Sequence, residues 1–541
     1  MLHRSTVLGT HKVAGQTRPQ QGDRVKKPLF AVVVALAAAL LLAPVASAID
    51  KVNTRELRRA VTVGGILEHE QALQNIATAN GGIRAATFPG YDASVEYVAK
   101  RLRRAGYKVT LDAFDFAHWE KNGPSTLERI SPSPTVWVED TDYIVSQFSA
   151  AGDVEAPVFV AGNTEIPPSG GAGTSVSGCD PDDFNGMPAG AIALIQRGTC
   201  PFVQKYQNAQ DKGAGAALIF NDGFTDREDP LFITAPQDMS IPAAMISNDV
   251  GEEIVGQTQS GPVTLHIVVD ATTTPITQYN VIGDSRSGDP KRTIVLGSHL
   301  DSVEAGPGIN DNGSGSSMDL EIAEQVAKLG QKPKNRLRFA FWGAEEAGLV
   351  GSTDYVEELV GNGKIKQIEA NLNFDMVGSP NFVRFVYDGD LSDSAPPPSG
   401  APDGSGQIEG LFNSYFAGQG LATDPTAFDG RSDYGPFIAN GVPAGGLFSG
   451  AEGIKTAEQA AVYGGTAGAP YDSCYHQACD TIANLNNTAL DQFSDAAAHA
   501  AWTLARSKSP VTKAQKAKAA KKSRKAGRTR GLKYQGPFRV R

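Results

Sequence analysis

The chain has 541 residues, of which 41% are hydrophobic and 20% charged, as in an ordinary soluble globular protein of more than one domain. Residues 49–507 contain 30 basic and 58 acidic residues, a net charge of −28 that the basic ends partly conceal in the overall value of −10. So acidic a body argues against nucleic acid as a partner, because a phosphate backbone requires a basic surface.

The first 48 residues are typical of an export signal. Lys26 and Lys27 precede an apolar run over residues 29–43, which Pro44 and the small residues 46–48 follow. This order predicts a cleaved signal peptide, a secreted extracellular protein and no stable membrane insertion after cleavage. The alternative is a retained membrane anchor, since residues 29–48 are just long enough to span a bilayer.

The segment after the signal predicts the beginning of a folded domain. A helical stretch covers residues 53–79, an amphipathic helix covers 94–105, and an alternating pattern at 108–116 predicts a strand. We assign residues 49–130 to the first part of a domain that an insert interrupts.

Residues 131–275 differ in pattern and predict that insert. Short apolar runs alternate with loops rich in glycine and proline, and one helix is expected at 202–213. This pattern is typical of a small, β-rich α+β domain.

Buried strands and helices alternate over residues 276–507. Apolar strands are expected at 293–298, 337–342, 370–374 and 444–448, and the helices include 316–329 and 488–504. The alternation predicts an α/β sheet with helices on both faces, whose ligands lie at the carboxyl ends of the strands.

The last segment, residues 508–541, contains 13 lysines and arginines and no acids. It lacks the apolar content to fold alone, so we expect a disordered tail. It is either a removable extension or a tether to anionic surface polymers.

Four cysteines, an even and low number, predict two disulfides in an exported protein. Their order favours the pairs Cys179–Cys200 and Cys474–Cys479, although spacing alone leaves other pairings open.

Potential metal ligands recur at the ends of the predicted strands. A histidine or an acid follows each of three buried strands, another acid lies in a glycine-rich loop, and another histidine lies late in the chain. These candidates are His299, Asp311, Glu346, Asp375 and His476. Imidazole and carboxylate are the ligands that zinc prefers, and five ligands with a bridging carboxylate indicate two ions rather than one.

Supporting roles follow from neighbouring positions. Asp311 lies among small residues and is the natural bridge between two metals. Asp301, two residues after His299, suits a partner that holds the imidazole. Glu345, next to Glu346, suits a general base that takes a proton from the attacking water.

Six ordered segments carry a resemblance to a known family. They are GSHLDS (297–302), GINDNGSGS (308–316), WGAEEAGLVGS (342–352), NFDMVGS (373–379), FDGRSDYGPF (428–437) and CYHQACDT (474–481). Residues 53–123 and 279–504 resemble the secreted bacterial double-zinc aminopeptidases. The resemblance implies a three-layer α/β/α sandwich with a mixed, mostly parallel sheet, and removal of leucine-like residues from the free N-termini of peptides. We expect the protein to be a monomer.

The resemblance also implies residue roles. His299 and Asp375 are expected to bind one zinc, Glu346 and His476 the other, and Asp311 both, with Glu345 as general base and acid. Tyr475 is expected to donate to the tetrahedral oxyanion, and Arg431 to lie near the substrate amine and carbonyl. Asp491 and Asp495 fall at places where some relatives bind calcium.

The insert resembles a protease-associated domain in residues 190–202 and 205–214. That family implies no catalysis of its own, and a role in gating, substrate recognition or contacts. Cys179 and Cys200 match its common disulfide.

Two other functions remain open at this stage. The same metal cage supports carboxypeptidases, deacylases and glutaminyl cyclases, and Arg431 could bind the terminal carboxylate of a carboxypeptidase substrate. A non-catalytic peptide-binding module is the second alternative. A serine hydrolase is disfavoured because the sequence contains no GxSxG elbow.

Overall fold

A computed structural model of the chain describes residues 49–512, apart from residues 225, 226, 232, 395 and 398. The predicted signal peptide and most of the predicted basic tail therefore lie outside the described residues. Within the described part, we find no helix with the length and apolarity to cross a membrane.

Eight strands form the first sheet, with strands and helices numbered along the chain. In spatial order they are β1 (Lys108–Lys121), β10 (Ala271–Asp284), β12 (Asn335–Trp342), β11 (Asp289–His299), β13 (Ile368–Phe374), β16 (Ala444–Phe448), β14 (Phe385–Tyr387) and β15 (Asp424–Thr426). The four central strands, β12, β11, β13 and β16, run parallel to one another, whereas β10 and β14 flank them in the antiparallel direction. The expectation of a mixed sheet is confirmed.

Helices cover both faces of this sheet. The helices of this domain are α1 (Arg55–Ala60), α2 (Val63–Ala79), α3 (Pro89–Ala105), α6 (Gly315–Lys328), α7 (Val350–Gly361), α8 (Ser405–Gly418), α9 (Gly435–Ala439), α10 (Ala457–Tyr463) and α11 (Asn487–Arg506).

The side chains of β12 show why two helical layers form. Successive residues of a strand point to opposite faces. Leu337, Phe339 and Phe341 belong to the large core that contains residues of α2, α3, α6, α8 and α11. Ala340 and Trp342 belong to a separate core with residues of α7 and α9. The predicted three-layer α/β/α sandwich is therefore confirmed.

A second sheet of eight strands lies between β1 and β10 in the chain. Its spatial order is β3 (Thr135–Trp137), β2 (Thr126–Ser131), β9 (Thr264–Val269), β5 (Gly152–Val160), β6 (Ile192–Gln196), β7 (Ala216–Phe220), β8 (Ala243–Ile246) and β4 (Tyr143–Val145). The helices α4 (Phe202–Asp211) and α5 (Asn248–Thr258) belong to this part. The first strand of this sheet, β2, begins at Thr126, five residues before residue 131, where the sequence predicts the start of the insert.

A two-stranded ribbon connects the two sheets. β1 and β10 pair antiparallel along their full lengths, from Lys108 opposite Asp284 to Lys121 opposite Ala271. Near the far end Trp119 packs against the cores of the second domain, and its indole N–H donates to the carbonyl of Ser149 at 2.8 Å. The insert is therefore carried on an extension of the first sheet.

Several boundaries differ from the sequence predictions. The helical stretch at 53–79 is divided because Val61 is extended and the Thr62 hydroxyl accepts the N–H of Gly65 at 3.1 Å, which starts a new helix. The next helix begins earlier than predicted, at Pro89, because proline is favoured in the first turn.

Candidate active site

Parallel strands bring the predicted ligands to one edge of the first sheet. β11 ends at His299, Asp375 follows directly after β13, and Glu345 and Glu346 follow the end of β12 after a short turn. Because these three strands are parallel neighbours, their carboxyl ends lie side by side. The loop that contains Asp311 follows β11 and precedes α6.

Asp311 lies between the two histidines. Its Oδ1 is 3.2 Å from Nε2 of His299, and its Oδ2 is 3.2 Å from Nε2 of His476. Nε2 of His299 is also 3.2 Å from Oδ1 of Asp375, and Nε2 of His476 is 3.2 Å from Oε2 of Glu346. The five predicted ligands therefore form two three-residue groups that share Asp311.

The distances within each three-residue group fit a zinc ion. Zinc binds nitrogen and oxygen ligands at about 2.0–2.2 Å in a tetrahedral arrangement, which separates two donors on one ion by about 3.3 Å. Nitrogen and oxygen donors are also what zinc prefers. Each three-residue group supplies one imidazole and two carboxylates, which are three ligands of the kinds that zinc binds.

Attraction between the histidines and the carboxylates holds these side chains together even without a metal ion. Burial opposes the charged form of Asp311, but hydrogen bonds to His299 and His476 hold its pKa below the usual value. Burial likewise opposes protonation of His476, yet Glu346 and Asp311 raise its pKa to about 10. A proton on His476 would therefore compete with a metal ion for the ring nitrogen that faces Asp311 and Glu346.

Asp480, which the sequence analysis did not single out, fixes the backbone of the bridging residue. Its carboxylate accepts the N–H groups of Asn310 at 2.8 Å and Asp311 at 3.0 Å. The peptide between Asp311 and Asn312 is cis. Burial raises the pKa of Asp480 to about 7. Its place in the CYHQACDT segment was the available signal.

Asp301 contacts more than the imidazole for which it was predicted. Its Oδ1 lies 3.6 Å from Nδ1 of His299, while its backbone oxygen lies 3.2 Å from that atom. Its carboxylate also accepts the backbone N–H groups of Glu345 at 3.2 Å and Glu346 at 3.3 Å. Asp301 therefore connects the first histidine to the turn that carries both glutamates.

Glu345 lies beside the metal-ligand group rather than within it. Its Oε2 is 4.0 Å from Nε2 of His299. Burial raises the pKa of Glu345 well above its usual value; His299 opposes this, whereas Glu346 and Asp375 add to it. A carboxyl group placed beside the ligands, but not among them, suits a general base that later acts as an acid.

A cavity of about 190 Å³ opens onto this group. Seven of the predicted residues line it, namely Asp311, Glu345, Glu346, Asp375, Arg431, Tyr475 and His476. Its other walls include apolar and aromatic side chains that sequence spacing did not reveal, namely Met376, Tyr387, Ala427, Tyr434, Phe448 and Ala451. The cavity therefore combines a polar floor with apolar walls.

Ser432 is a second contact that the sequence analysis missed. Its hydroxyl donates to Oδ2 of Asp375 at 2.6 Å and accepts the side-chain N–H of Asn373 at 2.9 Å. This leaves Oδ1 of Asp375 directed at His299. Ser432 lies next to Arg431, which had been selected from the same segment.

Both predicted disulfides are present. Cys474 and Cys479 are joined around Tyr475 and His476, and Cys179 and Cys200 are joined in the second domain.

The predicted calcium position has a different set of contacts. Asp495 forms an ion pair with Arg58 at 3.1 Å and accepts the hydroxyl of Tyr415 at 3.1 Å. Asp491 is exposed on the same helix. Among the described residues, neither aspartate belongs to a group of three side chains able to hold a metal ion. The guanidinium of Arg58 therefore supplies a positive partner for Asp495.

The fold is an α/β/α sandwich in which histidine and carboxylate groups at one edge of the sheet line an open cavity. This combination is typical of a metallohydrolase. The model of peptidase family M28 matches residues 280–501, and that of the PA domain matches residues 156–254.

Relatives and solved structures agree with these matches. An aminopeptidase of Pseudomonas aeruginosa is 47% identical over 446 residues, which cover 82% of this chain and 81% of that protein. Leucine aminopeptidase 2 of Arthroderma otae is 36% identical over 443 residues, covering 81% and 83% of the two chains.

Among solved structures, the aminopeptidase from Aneurinibacillus sp. strain AM-1 has a TM-score of 0.65 and 25% identity, and covers 85% of this chain and 98% of that one. A zinc aminopeptidase from Bacillus subtilis shares the fold, with a TM-score of 0.55, 22% identity and coverage of 82% and 95%. The chain belongs to peptidase family M28. It is a zinc-dependent aminopeptidase with an inserted PA domain.

Proposed function

We propose that this enzyme is exported and removes large apolar residues, leucine above all, from the free N-termini of peptides with two zinc ions. The observation that carries the proposal is the position of Asp311, whose two carboxylate oxygens each lie 3.2 Å from a different histidine. One carboxylate so placed supports two ions rather than one.

The residues divide between two zinc positions. His299 and Asp375 would hold one ion, His476 and Glu346 the other, and Asp311 both. Bound zinc polarises the scissile carbonyl and lowers the pKa of a water molecule. The supporting contacts are those of Asp301, Asp480 and Ser432, which fix the orientation of the ligands.

Glu345 supplies the proton transfer. Its buried carboxylate takes a proton from the attacking water and returns it to the nitrogen of the leaving amine. The position of Glu345 supports both steps, because its Oε2 lies beside the ligand group, 4.0 Å from Nε2 of His299, and one group there can take the proton and return it.

Tyr475 and Arg431 act on the substrate from the cavity wall. The hydroxyl of Tyr475 donates to the carbonyl oxygen as negative charge develops there, a contact that strengthens toward the transition state. The guanidinium of Arg431 lies close to the substrate amine and carbonyl. Both side chains line the cavity together with Glu345.

The apolar walls support the side-chain preference. Met376, Phe448 and Ala451 line the cavity that also contains the catalytic groups. A leucine-sized side chain in contact with these walls would lose apolar surface to water, which favours it over a small or charged one. The relative named leucine aminopeptidase supports the same preference.

The remaining assignments are also part of this proposal. The two disulfides support export by the signal at residues 1–48 and an extracellular location, because disulfides persist in oxidising compartments. We retain the domain divisions 49–130, 131–275 and 276–507, a basic tail from 508 and a monomeric state. A bound calcium ion at Asp491 and Asp495 gains no support from the contacts of Asp495.

A carboxypeptidase or deacylase on the same fold is the competing function, and Arg431 in the cavity wall is the observation that favours it. Three matched peptides separate the functions: one with both ends free, one with an acetylated N-terminus and one with an amidated C-terminus. We expect release of the first residue from the free and the amidated peptides, and none from the acetylated peptide. Cleavage of the acetylated peptide would refute the aminopeptidase mechanism.

A further inference from the structure

Arg84 is a fully buried arginine in the loop between α2 and α3, far in sequence from every predicted ligand. Its guanidinium donates to three backbone carbonyls: Nε to that of Pro307 at 2.9 Å, one terminal nitrogen to Gly308 at 2.6 Å and the other to Leu300. All three acceptors belong to a single loop.

That loop joins two of the proposed zinc ligands. Leu300 directly follows His299, and Gly308 lies three residues before Asp311. Gly308 has a positive φ of 60°, and a Cβ there would lie 2.4 Å from the backbone oxygen of Asp311, so this turn packs directly against the bridging residue. Arg84 therefore holds both ends of the loop that sets the separation of His299 and Asp311.

The backbone of Arg84 makes a second connection to the same loop. Its N–H donates to the hydroxyl of Ser302 at 2.9 Å, and its carbonyl accepts the N–H of Ser302 at 3.3 Å. The Ser302 hydroxyl in turn lies 3.0 Å from the carbonyl of Gly306. The loop is thus held by side-chain and backbone contacts of one residue from the N-terminal segment.

Only an arginine can make this set of side-chain contacts. A guanidinium is planar and has five N–H donors, so it reaches three carbonyls in fixed directions, whereas an ammonium group is a single point. Burial lowers the pKa of Arg84 because it disfavours the charged guanidinium. Four acidic side chains raise this pKa again, namely Glu70, Asp301, Asp480 and Asp311. The cation is therefore surrounded by the carboxylates of the site and its supports.

We propose that Arg84 is a positioning residue for the zinc site, which holds the 300–308 loop so that His299 and Asp311 keep the separation that one ion requires. This inference rests on the proposed two-zinc function. It concerns a residue that touches neither substrate nor metal and acts through the backbone of the loop.

The test is the rate at which a chelator removes zinc from the full-length holoenzyme, together with kcat and KM for a leucine peptide. Arg84→Lys keeps the charge but loses the fork of donors. We expect zinc release about 10-fold to 100-fold faster and a comparable fall in kcat, because supports of metal ligands have effects of that size. KM should change little, since Arg84 does not line the cavity.

Arg129→Lys is the matched control. Arg129 is also buried, and its Nε donates at 2.6 Å to a loop carbonyl, that of Ser133, but in the second domain. It should lower the melting temperature without changing zinc release or kcat. If Arg84→Lys behaves like Arg129→Lys, with lower stability but wild-type zinc release and kcat, Arg84 merely stabilises the fold and the inference is wrong.

A milder variant covers the case in which Arg84→Lys does not fold. Ser302→Ala removes one contact between Arg84 and the loop, the hydroxyl that accepts the Arg84 N–H, and we expect severalfold faster zinc release from it. Wild-type release from Ser302→Ala would then contradict the inference. The zinc content of the wild-type enzyme is measured alongside: a content other than two ions refutes the proposed function itself, whatever the variants do.

Discussion

The ring of Tyr475 stacks on the ring of His476, with centroids 3.8 Å apart and planes inclined by 23°. His476 has a positive φ of 57°, a backbone conformation that residues other than glycine seldom adopt. The disulfide between Cys474 and Cys479 closes the loop around both residues. A short covalent ring thus presents a proposed zinc ligand and a proposed oxyanion donor as one unit.

Removal of that disulfide should loosen zinc. In the double variant Cys474→Ser and Cys479→Ser, we expect chelator-driven zinc release about 10-fold faster, because His476 is no longer held in its strained conformation. The paired variant Cys179→Ser and Cys200→Ser removes the disulfide of the PA domain and serves as the control. Equal release rates in the two variants would show that the ring does not stiffen the ligand.

The two neighbouring glutamates should respond differently to loss of charge. Glu345→Gln should keep both zinc ions and lose about 10²–10⁴-fold in kcat, the usual contribution of a general acid or base. Glu346→Gln should lose zinc instead, because its carboxylate lies 3.2 Å from Nε2 of His476. Metal analysis of both proteins checks this, and zinc loss from Glu345→Gln alone would mean that the two roles are interchanged.

Tyr475→Phe tests the proposed oxyanion contact. We expect a fall of about 10²-fold in kcat with little change in KM, since a donor aimed at developing charge acts mainly in the transition state. The stacked ring remains in the variant, so zinc content should not change. An unchanged kcat would reduce Tyr475 to a packing role.

A buried histidine that is not among the proposed zinc ligands should make the fold sensitive to acid. His69 is 1% exposed, and burial lowers its pKa from 6.5 to about 4. The unfolded chain therefore binds a proton at this position between these pH values while the folded chain does not. Acidification through this window should reduce the free energy of unfolding by up to about 3 kcal/mol.

The His69→Gln variant isolates that contribution. Its free energy of unfolding should fall less than that of the wild type between neutral pH and about pH 4. Both proteins lose zinc in acid alike, so the difference between them reports His69. Parallel denaturation curves at all pH values would contradict a buried neutral histidine.

The sequence predicts best those site residues that lie at the ends of strands. His299, Glu346 and Asp375 end or follow apolar runs that predict buried strands, and the carboxyl ends of parallel strands meet at one edge. Asp311 and His476 come from loops, so they were candidates by residue type and, for Asp311, by its glycine-rich surroundings, and the resemblance added the division of the five ligands between two ions. The division of the first helical stretch at Thr62 depended on a single capping hydroxyl, which periodicity does not reveal.

The contacts around the ligands could not be predicted because they join distant segments. Arg84 lies 216 residues before the Leu300 carbonyl that it binds, and Ser432 lies 57 residues after Asp375. The apolar walls of the cavity come from several separate loops and have no common spacing. Asp495 was expected to bind calcium because of its place in the last helix, but Arg58 from the first helix supplies its positive partner.

The most direct test of the two-zinc account is a crystal structure of the zinc-loaded enzyme with data collected at the zinc absorption edge. The account predicts two anomalous peaks about 3.5–4 Å apart on either side of the Asp311 carboxylate, one beside His299 and Asp375 and the other beside His476 and Glu346. A single peak, or a second one away from Asp311, would contradict it.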